Sequence, residues 1–121
     1  MTDRQIRLKT RGDFLRVAAG RGRAVRPGMV VQAAARPGEA GEALRVGFTA
    51  SKRVGNAVAR NRAKRRLRAA AAAVLPRCGK AGTDYVLIAR AGTGARPYAD
   101  LLADLEGALR QLARPPRGGE G

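Results

Sequence analysis

The sequence contains few of the side chains that carry most enzyme chemistry. Its 121 residues include no histidine, no tryptophan and one cysteine, and only nine are acidic. Histidine, cysteine and paired carboxylates supply most general bases, nucleophiles and metal ligands, whereas the acids of this chain are scattered. The sequence therefore predicts neither a catalytic site nor a metal site built from protein side chains.

The single cysteine and the lack of long apolar runs bear on where the protein works. Cys78 can form no intramolecular disulfide, which is consistent with a reducing compartment. The first nine residues contain no apolar segment typical of an export signal, and no run approaches the roughly 20 apolar residues of a bilayer span. An interfacial membrane helix would need bulky apolar residues beneath its cations. We therefore expect a cytoplasmic protein that binds no membrane.

Positive charge is what the sequence has in excess. Lys and Arg number 25 against nine Asp and Glu, which gives a formal net charge of +16 and a pI near 11.8. This excess is larger than solubility requires, and a polyanionic partner explains it most simply. The chain is long enough for one modest core, which is rich in alanine. Such a core offsets little of the repulsion among the cations, and this repulsion favours partial unfolding in the absence of that partner.

The charge is concentrated in one predicted helix. No Gly or Pro occurs between Asn56 and Leu75, and the helix-forming residues of this segment are bracketed by Gly55 and Pro76. At about 100° per residue, a narrow apolar stripe is formed by Ala59, Ala63, Leu67, Ala70 and Val74. The neighbouring face carries Arg60, Asn61, Lys64, Arg65 and Arg68, and beyond the other edge of the stripe lie Arg62 and Arg66.

A solvated charged face is the ordinary explanation of such a basic run. A solvated face usually mixes both signs, yet no acid occurs between Glu42 and Asp84. Like charges four residues apart cost about 0.2 to 0.5 kcal/mol per pair in an isolated helix, and a polyanion removes that cost. The run therefore predicts a helix that binds phosphates.

The remaining patterns predict two further helices. The first follows Thr10, ends at Gly20 and carries Phe14, Val17 and Ala18 on one face. The last begins at Pro97 and has a stripe formed by Leu101, Leu105, Leu109 and Leu112. Most acids, Asp84 among them, fall at the starts of elements or in loops, where capping and turn residues are typical.

Three strands complete the predicted fold. Met29–Ala35 and residues 44–51 flank turn residues at 36–42 and are interpreted as a hairpin, while residues 84–90 form a strand buried on both faces. Residues 20–28 and the glycine-rich segment 91–96 are predicted as loops, the second of them flexible. The order α-β-β-α-β-α predicts a small α+β sandwich, with one extra short strand possible. We expect a single RNA-binding domain over residues 1–114 and a disordered tail over residues 115–121.

Only four aromatic residues are present. Phe14 lies on a short helix beside basic residues, so it either stacks on a base of an RNA or packs in the core. Phe48 and Tyr85 lie on predicted strands and are assigned to the core.

Several short motifs follow one another along the chain: Arg7-Leu8-Lys9, Asp13-Phe14, Arg45-Val46-Gly47-Phe48, SKRVGNAVARNRAKR at residues 51–65, Arg68 and the strand at residues 84–90. Together they closely resemble the bacterial ribonuclease P protein component. The resemblance extends from about Arg7 to the last helix, and the lead into the Arg-Asn-Arg-x-Lys-Arg helix is its most specific part.

The resemblance implies an α-β sandwich with a left-handed βαβ crossover around the central helix. It also implies a small basic subunit of a ribonucleoprotein that removes the 5′ leader from precursor tRNA. In that family the RNA subunit supplies the active site, Mg²⁺ is bound by the RNA and substrate, and the protein alone is expected to be inactive. This division of labour agrees with a chain that lacks catalytic and metal-binding side chains.

The same resemblance implies roles for individual residues. The side chains that would contact the catalytic RNA are Arg60, Asn61, Arg62, Lys64, Arg65 and Arg68. Phe14 would line the cleft for the single-stranded leader, with Ser51, Lys52 and Arg90 beside it. Ala18 and Gln32 stand where family members often carry aromatic residues, which predicts weaker stacking in this cleft.

Two other classes of nucleic-acid-binding protein share some of these features. A structural RNA-binding protein of ribosomal type would have the same size, charge and thin core, and it remains the alternative. A DNA-binding module would place base-reading side chains on a helix after a tight turn, whereas the basic helix here follows a strand and is directed at phosphates. We therefore expect no DNA partner.

Overall fold

A computed structural model of the protein describes residues 5–36 and 43–113. In these residues five strands form one mixed sheet, and helices cover both of its faces. The elements are β1 (Gln5–Arg7), α1 (Arg11–Ala19), β2 (Gly22–Arg26), β3 (Met29–Ala35), β4 (Leu44–Thr49), a 3₁₀ helix (Lys52–Val54), α2 (Ala57–Cys78), β5 (Thr83–Ala89) and α3 (Tyr98–Ala113). The predicted α+β sandwich is confirmed. The predicted turn at residues 36–42, apart from Arg36, and the predicted tail lie outside the described residues.

β5 is the centre of the sheet. The strand order is β1-β4-β5-β3-β2, with β4 parallel and β3 antiparallel to β5. Tyr85 lies opposite Val46 of β4 and Ala33 of β3. The predicted hairpin between β3 and β4 is wrong, because β5 is apolar on both faces and pairs between these two strands. α2 makes the parallel crossover from β4 to β5, and the hand implied for this crossover stays a prediction.

The hairpin of this sheet is formed by β2 and β3. β2 lies in the segment predicted as a loop and pairs with β3 across a turn at residues 27–28. Ala24 is the only buried residue of β2, and Val25 is 53% exposed, so the strand lacks a clear apolar alternation. β1 is shorter still, with three residues, and it extends the other edge of the sheet by pairing in parallel with β4. The sheet thus has two strands beyond the predicted three.

The two faces of the sheet are covered differently. α2 and α3 cover one face, where Leu67, Leu75, Leu101 and Leu105 pack with the buried residues of the strands. The residues of β4 alternate between the two faces, because Val46 and Phe48 face this core while Gly47 faces α1. α1 covers part of the opposite face with a smaller cluster formed by Leu8, Val17, Val86 and the partly buried Phe14, Ala34 and Ile88. Ala18 shares a helix face with Phe14 and Val17 but is exposed, so only the other two contact the sheet.

α2 begins at Ala57, where the Asn56 side chain accepts a hydrogen bond from the Ala59 N–H at 2.9 Å. Its predicted apolar stripe is buried except at the partly exposed Ala59, and Ala71 and Leu75 widen it. The predicted end of the helix at Pro76 is wrong. The exposed Pro76 removes one N–H donor, but the buried Leu75 holds the last turn, and the Gly79 N–H donates to the Leu75 carbonyl at 2.8 Å. No helix in the described part of the chain is both long and apolar enough to cross a bilayer.

A buried carboxylate ties α1 and three strands together. Asp84 is fully buried and accepts hydrogen bonds from Arg45 at 2.8 and 2.7 Å, from Arg36 at 2.9 Å, and from Arg16. Burial raises the pKa of Asp84, but the hydrogen bonds and charges of the arginines outweigh it and hold the pKa below its ordinary value. Asp84 lies at the start of β5, as predicted for most acids, but its partners are distant arginines and not the backbone of a cap or turn.

Candidate nucleic-acid interface

The turn before α2 sets the direction of the helix and of its basic face. Gly55 has a φ of 140°, a value that favours glycine, and it turns the chain from the 3₁₀ helix into α2. The Arg60 guanidinium then folds back and donates to the Gly55 carbonyl at 3.0 Å. Arg60 is therefore partly fixed by the backbone before any RNA binds.

The cations that follow along this face have no acidic partners. No carboxylate in residues 5–36 and 43–113 lies within ion-pair distance of Lys64, Arg65 or Arg68. Asn61 and Arg65 are exposed, while Lys64 and Arg68 are partly exposed. Guanidinium and ammonium groups without internal partners are well suited to phosphate oxygens. The face thus presents uncompensated positive charge, and direct RNA contact by these residues stays a prediction.

The opposite side of α2 holds the loop that follows β5. Arg66 donates to the carbonyls of Thr93 at 2.7 Å and Gly94 at 3.1 Å, and Arg62 donates to the Gly94 carbonyl at 3.2 Å. Arg62 is thus separated from the other predicted RNA-binding residues and already has one backbone partner. Its side chain is exposed, so its other donors can still reach a phosphate.

A groove of about 350 Å³ lies where β5 ends. Its apolar part includes Val30 and Ile88, and Ser51 and Arg90 both line it, while their contact with a leader stays a prediction. Lys52 is exposed and follows Ser51 at the start of the 3₁₀ helix. The sequence did not single out Arg53, which also lines the groove and adds a second cation.

Phe14 does not line this groove but lies along the same face of the sheet. Its ring is partly buried and packs beside Val86. Val86 and Ile88 are two residues apart on β5 and share its α1 side, and Ile88 also lines the groove. The ring rests on Gly47, where an added Cβ would lie 2.4 Å from a ring carbon. Phe14 therefore contacts the small core and keeps part of its ring exposed, and stacking on a base stays a prediction.

Arg90 is fixed by a buried hydroxyl. Thr93 is fully buried, and its Oγ1 accepts a hydrogen bond from the Arg90 N–H and donates one to the Gly28 carbonyl, both at 2.7 Å. The Arg90 guanidinium donates to the Arg26 carbonyl at 2.7 Å. The loop at residues 91–96 is therefore tied to the hairpin of β2 and β3, whereas its glycines had predicted a flexible segment.

The carboxylates near these surfaces are occupied by arginines. Arg45 lies 3.4 Å from Asp13, Arg96 lies 2.6 Å from Asp104, and Arg77 lies 2.8 Å from Glu106. In the described ranges, no group of three His, Cys, Asp or Glu residues is placed to hold a metal ion. A Mg²⁺ site needs oxygen ligands in octahedral geometry, and these paired carboxylates do not fit one.

Comparison with known proteins gives one consistent match. The family model for ribonuclease P matches residues 2–113. A ribonuclease P protein component from Paramagnetospirillum magneticum is 54% identical over 114 residues, which cover 93% of this chain and 86% of that protein. The corresponding protein of Ruegeria pomeroyi is 56% identical over 109 residues, which cover 89% of this chain and 86% of that protein.

Solved structures show the same fold. The ribonuclease P protein of Staphylococcus aureus superposes with a TM-score of 0.73 at 25% identity, covering 88% of this chain and 94% of that one. The ribonuclease P protein of Thermotoga maritima superposes with a TM-score of 0.72 at 23% identity, covering 87% of this chain and 96% of that one. A match along nearly the whole chain, with a surface rich in unpaired cations, leads to one conclusion: the chain belongs to the ribonuclease P protein component family.

Proposed function

We propose that this chain is the basic subunit of a ribonuclease P in which RNA performs the chemistry. Membership of the family makes the chain a component of the ribonucleoprotein that processes tRNA 5′ leaders, with an RNA partner. In our proposal the basic face of α2 binds the RNA subunit, while Phe14 and the groove at Ser51 and Arg90 bind the leader of precursor tRNA. The site of this work would be the bacterial cytoplasm.

The observation that carries the proposal is the row of unpaired cations on α2. Lys64, Arg65 and Arg68 follow at helical spacing, and no described carboxylate neutralises them. A polyanion gains by releasing counterions when it binds such a row, so affinity should fall steeply with salt. The cationic face is on α2 and the groove is at the end of β5, so one protein would contact two RNA segments.

Cleavage itself is assigned to the RNA. The carboxylates Asp13, Asp84, Asp104 and Glu106 are each paired with arginine, and no group of three His, Cys, Asp or Glu residues in the described ranges is placed to hold a metal ion. Mg²⁺ would be held by the RNA subunit and the substrate. The protein contributes by binding and orienting both RNAs.

The test is reconstitution with the ribonuclease P RNA of Paramagnetospirillum magneticum, whose own protein subunit resembles this chain. At low Mg²⁺, where the RNA alone is slow, adding this protein should restore cleavage of a precursor tRNA at the leader junction. The protein alone should leave the precursor intact. Absence of rescue, together with tight and salt-sensitive binding to ribosomal RNA, would favour a structural RNA-binding protein instead.

Replacing Phe14 by alanine should weaken the complex with precursor tRNA and leave mature tRNA binding unchanged. Stacking on a base is worth about 1 kcal/mol or more, so we expect about a fivefold or larger rise in Kd for the precursor. The measurement is fluorescence titration of reconstituted holoenzyme with each tRNA.

Leu15→Ala is the matched control for Phe14→Ala. Leu15 follows Phe14 on α1 but is 54% exposed and belongs to neither apolar cluster. The control should bind both tRNAs as the unaltered protein does. If Phe14→Ala weakened precursor and mature tRNA equally, Phe14 would act on the fold of the subunit and not on the leader.

A further inference from the structure

Two arginines from distant parts of the chain lie over the ring of Phe48. The guanidinium carbon of Arg7 lies 5.8 Å from the ring centroid, and that of Arg68 lies 5.9 Å from it. Both distances fall within the roughly 6 Å over which an aromatic face attracts a cation. Arg7 is on β1 at the sheet edge and Arg68 is on α2, so one ring on β4 brings together cations more than 60 positions apart in sequence.

The topology of the sheet explains why these residues meet. β1 pairs in parallel with β4 so that Arg7 lies opposite Val46, two positions before Phe48. Residues two apart point to the same face of a strand, so Arg7, Val46 and Phe48 all lie on the α2 side. Leu8, the next residue, instead packs into the cluster beneath α1. The alternation therefore sends Arg7 towards the basic face of α2.

The two guanidinium groups have no acid between them. No carboxylate of the described ranges is within ion-pair distance of Arg7 or Arg68. One terminal nitrogen of Arg68, Nη1, is buried and has no hydrogen-bond partner. Solvent does not reach this nitrogen, so an external anion would contact the other donors of the partly exposed Arg68 side chain. Holding two like charges beside one ring is unfavourable unless an anion binds both.

We propose that Arg7, Phe48 and Arg68 form a phosphate-binding clamp for the backbone of the RNA subunit. The ring orients the two guanidinium groups, and their accessible N–H donors bind phosphate oxygens. The clamp extends the RNA-binding surface from α2 across β4 to β1 and gives Phe48, assigned to the core from sequence, a positioning role. This inference rests on the proposed function, because it takes the ribonuclease P RNA as the bound polyanion.

Arg7→Ala and Arg110→Ala form the first pair of test variants. Both remove one cation from an exposed arginine, but Arg110 lies on α3 and contacts no ring. Kd is measured for labelled ribonuclease P RNA alone, without tRNA, at several salt concentrations. We expect Arg7→Ala to weaken binding about three- to tenfold and to reduce the salt slope by about 0.7 to 0.9, and Arg110→Ala to change Kd less than twofold.

Phe48→Tyr and Phe48→Leu form the second pair. Tyrosine keeps the aromatic face, so its Kd should stay within about twofold, whereas leucine keeps an apolar side chain but should weaken binding about three- to tenfold. In the Phe48→Leu background, Arg7→Ala should cost less than it does in the unaltered protein, because the ring no longer holds the guanidinium. Thermal melts show whether Phe48→Leu folds, and Arg7→Ala tests the clamp independently if it does not.

Two results would overturn the clamp. In the first, the unaltered protein binds the RNA but Arg7→Ala and Arg110→Ala have the same Kd. In the second, the loss from Arg7→Ala occurs only when precursor tRNA is present, which would assign Arg7 to the substrate. An unaltered protein that does not bind the ribonuclease P RNA would instead overturn the proposed function, and the clamp with it.

Discussion

Replacing Lys64, Arg65 and Arg68 together by alanine should weaken binding of the ribonuclease P RNA about 100- to 1000-fold at physiological salt. These side chains share the exposed face of α2 and have no acidic partner among the described residues. An exposed hydrogen bond is worth about 1 kcal/mol net, so losing three contacts costs about 3 to 4 kcal/mol, and three lost phosphate contacts should also reduce the salt slope by about 2 to 3. Filter binding at salt concentrations from about 50 to about 300 mM measures both the Kd and its dependence on salt.

The same triple variant should fold about as well as the unaltered protein, because relief of charge repulsion and better helix propensity offset the lost contact between Arg68 and the Phe48 ring. Lys64 and Arg68 are four residues apart and repel each other, and alanine is a better helix former than either. A loss of RNA binding with an unchanged or higher Tm would therefore come from the surface and not from unfolding.

The matched control removes the same charge elsewhere. Arg21, Lys80 and Arg110 are exposed and lie outside α2, so replacing all three by alanine gives an equal net charge. If nonspecific attraction explained RNA binding, both triple variants would lose the same affinity and the same salt slope. We expect the control to lose less than tenfold, since long-range charge is screened over about 10 Å at 0.1 M salt.

The helical part of the fold could be predicted because helices depend on residues close in sequence. α1 ends at Gly20 and α2 begins after Asn56, as local capping chemistry indicates. The basic face of α2 follows from the 3.6-residue period alone. The charged surface was therefore predictable before any tertiary structure was known.

The pairing of the strands could not be predicted because it depends on residues far apart. The turn signals after β3 suggested a hairpin with β4, yet β5, which comes after a 22-residue helix, pairs between them. β1 and β2 are short and carry arginines, so they gain their strand structure from neighbours and not from their own pattern.

The candidate site shows the same limit. The sequence and the family resemblance named Ser51, Arg90 and Phe14, and the structure places them on or beside the groove face. Nothing in the sequence indicated that Arg62 and Arg66 would donate hydrogen bonds to the loop that contains Thr93. Nor did it indicate that two arginines would lie over the ring of Phe48. These contacts join elements whose order in the sheet was unknown, so no local pattern carries them.

Asp84→Asn should be the most destabilising conservative substitution at a charged position of the described chain. Asparagine keeps the shape of the side chain but removes the charge that balances Arg16, Arg36 and Arg45. Breaking a buried ion pair typically costs 3 to 5 kcal/mol, and since Arg16 and Arg45 are partly exposed we expect about 3 kcal/mol. Urea denaturation followed by circular dichroism measures the change in the free energy of unfolding.

Glu106→Gln is the matched control for this loss. It makes the same carboxylate-to-amide change in the ion pair with Arg77, whose side chain is 59% exposed. Exposed pairs contribute about 0 to 1 kcal/mol, so this variant should unfold at nearly the unaltered urea concentration. Equal losses from the two variants would mean that the arginines around Asp84 are compensated by solvent and do not depend on its charge.

The dependence of stability on pH follows from the direction of the Asp84 pKa. Because the folded pKa lies below the ordinary value of 3.8, the folded state favours the ionised carboxylate. This contribution is fully present above the unfolded pKa and is lost as the pH falls through the folded pKa. The free energy of unfolding of the unaltered protein should therefore fall below about pH 4, and Asp84→Asn should fall less steeply over the same interval. Parallel curves for the two proteins would show that other carboxylates, and not Asp84, carry the acid sensitivity of the fold.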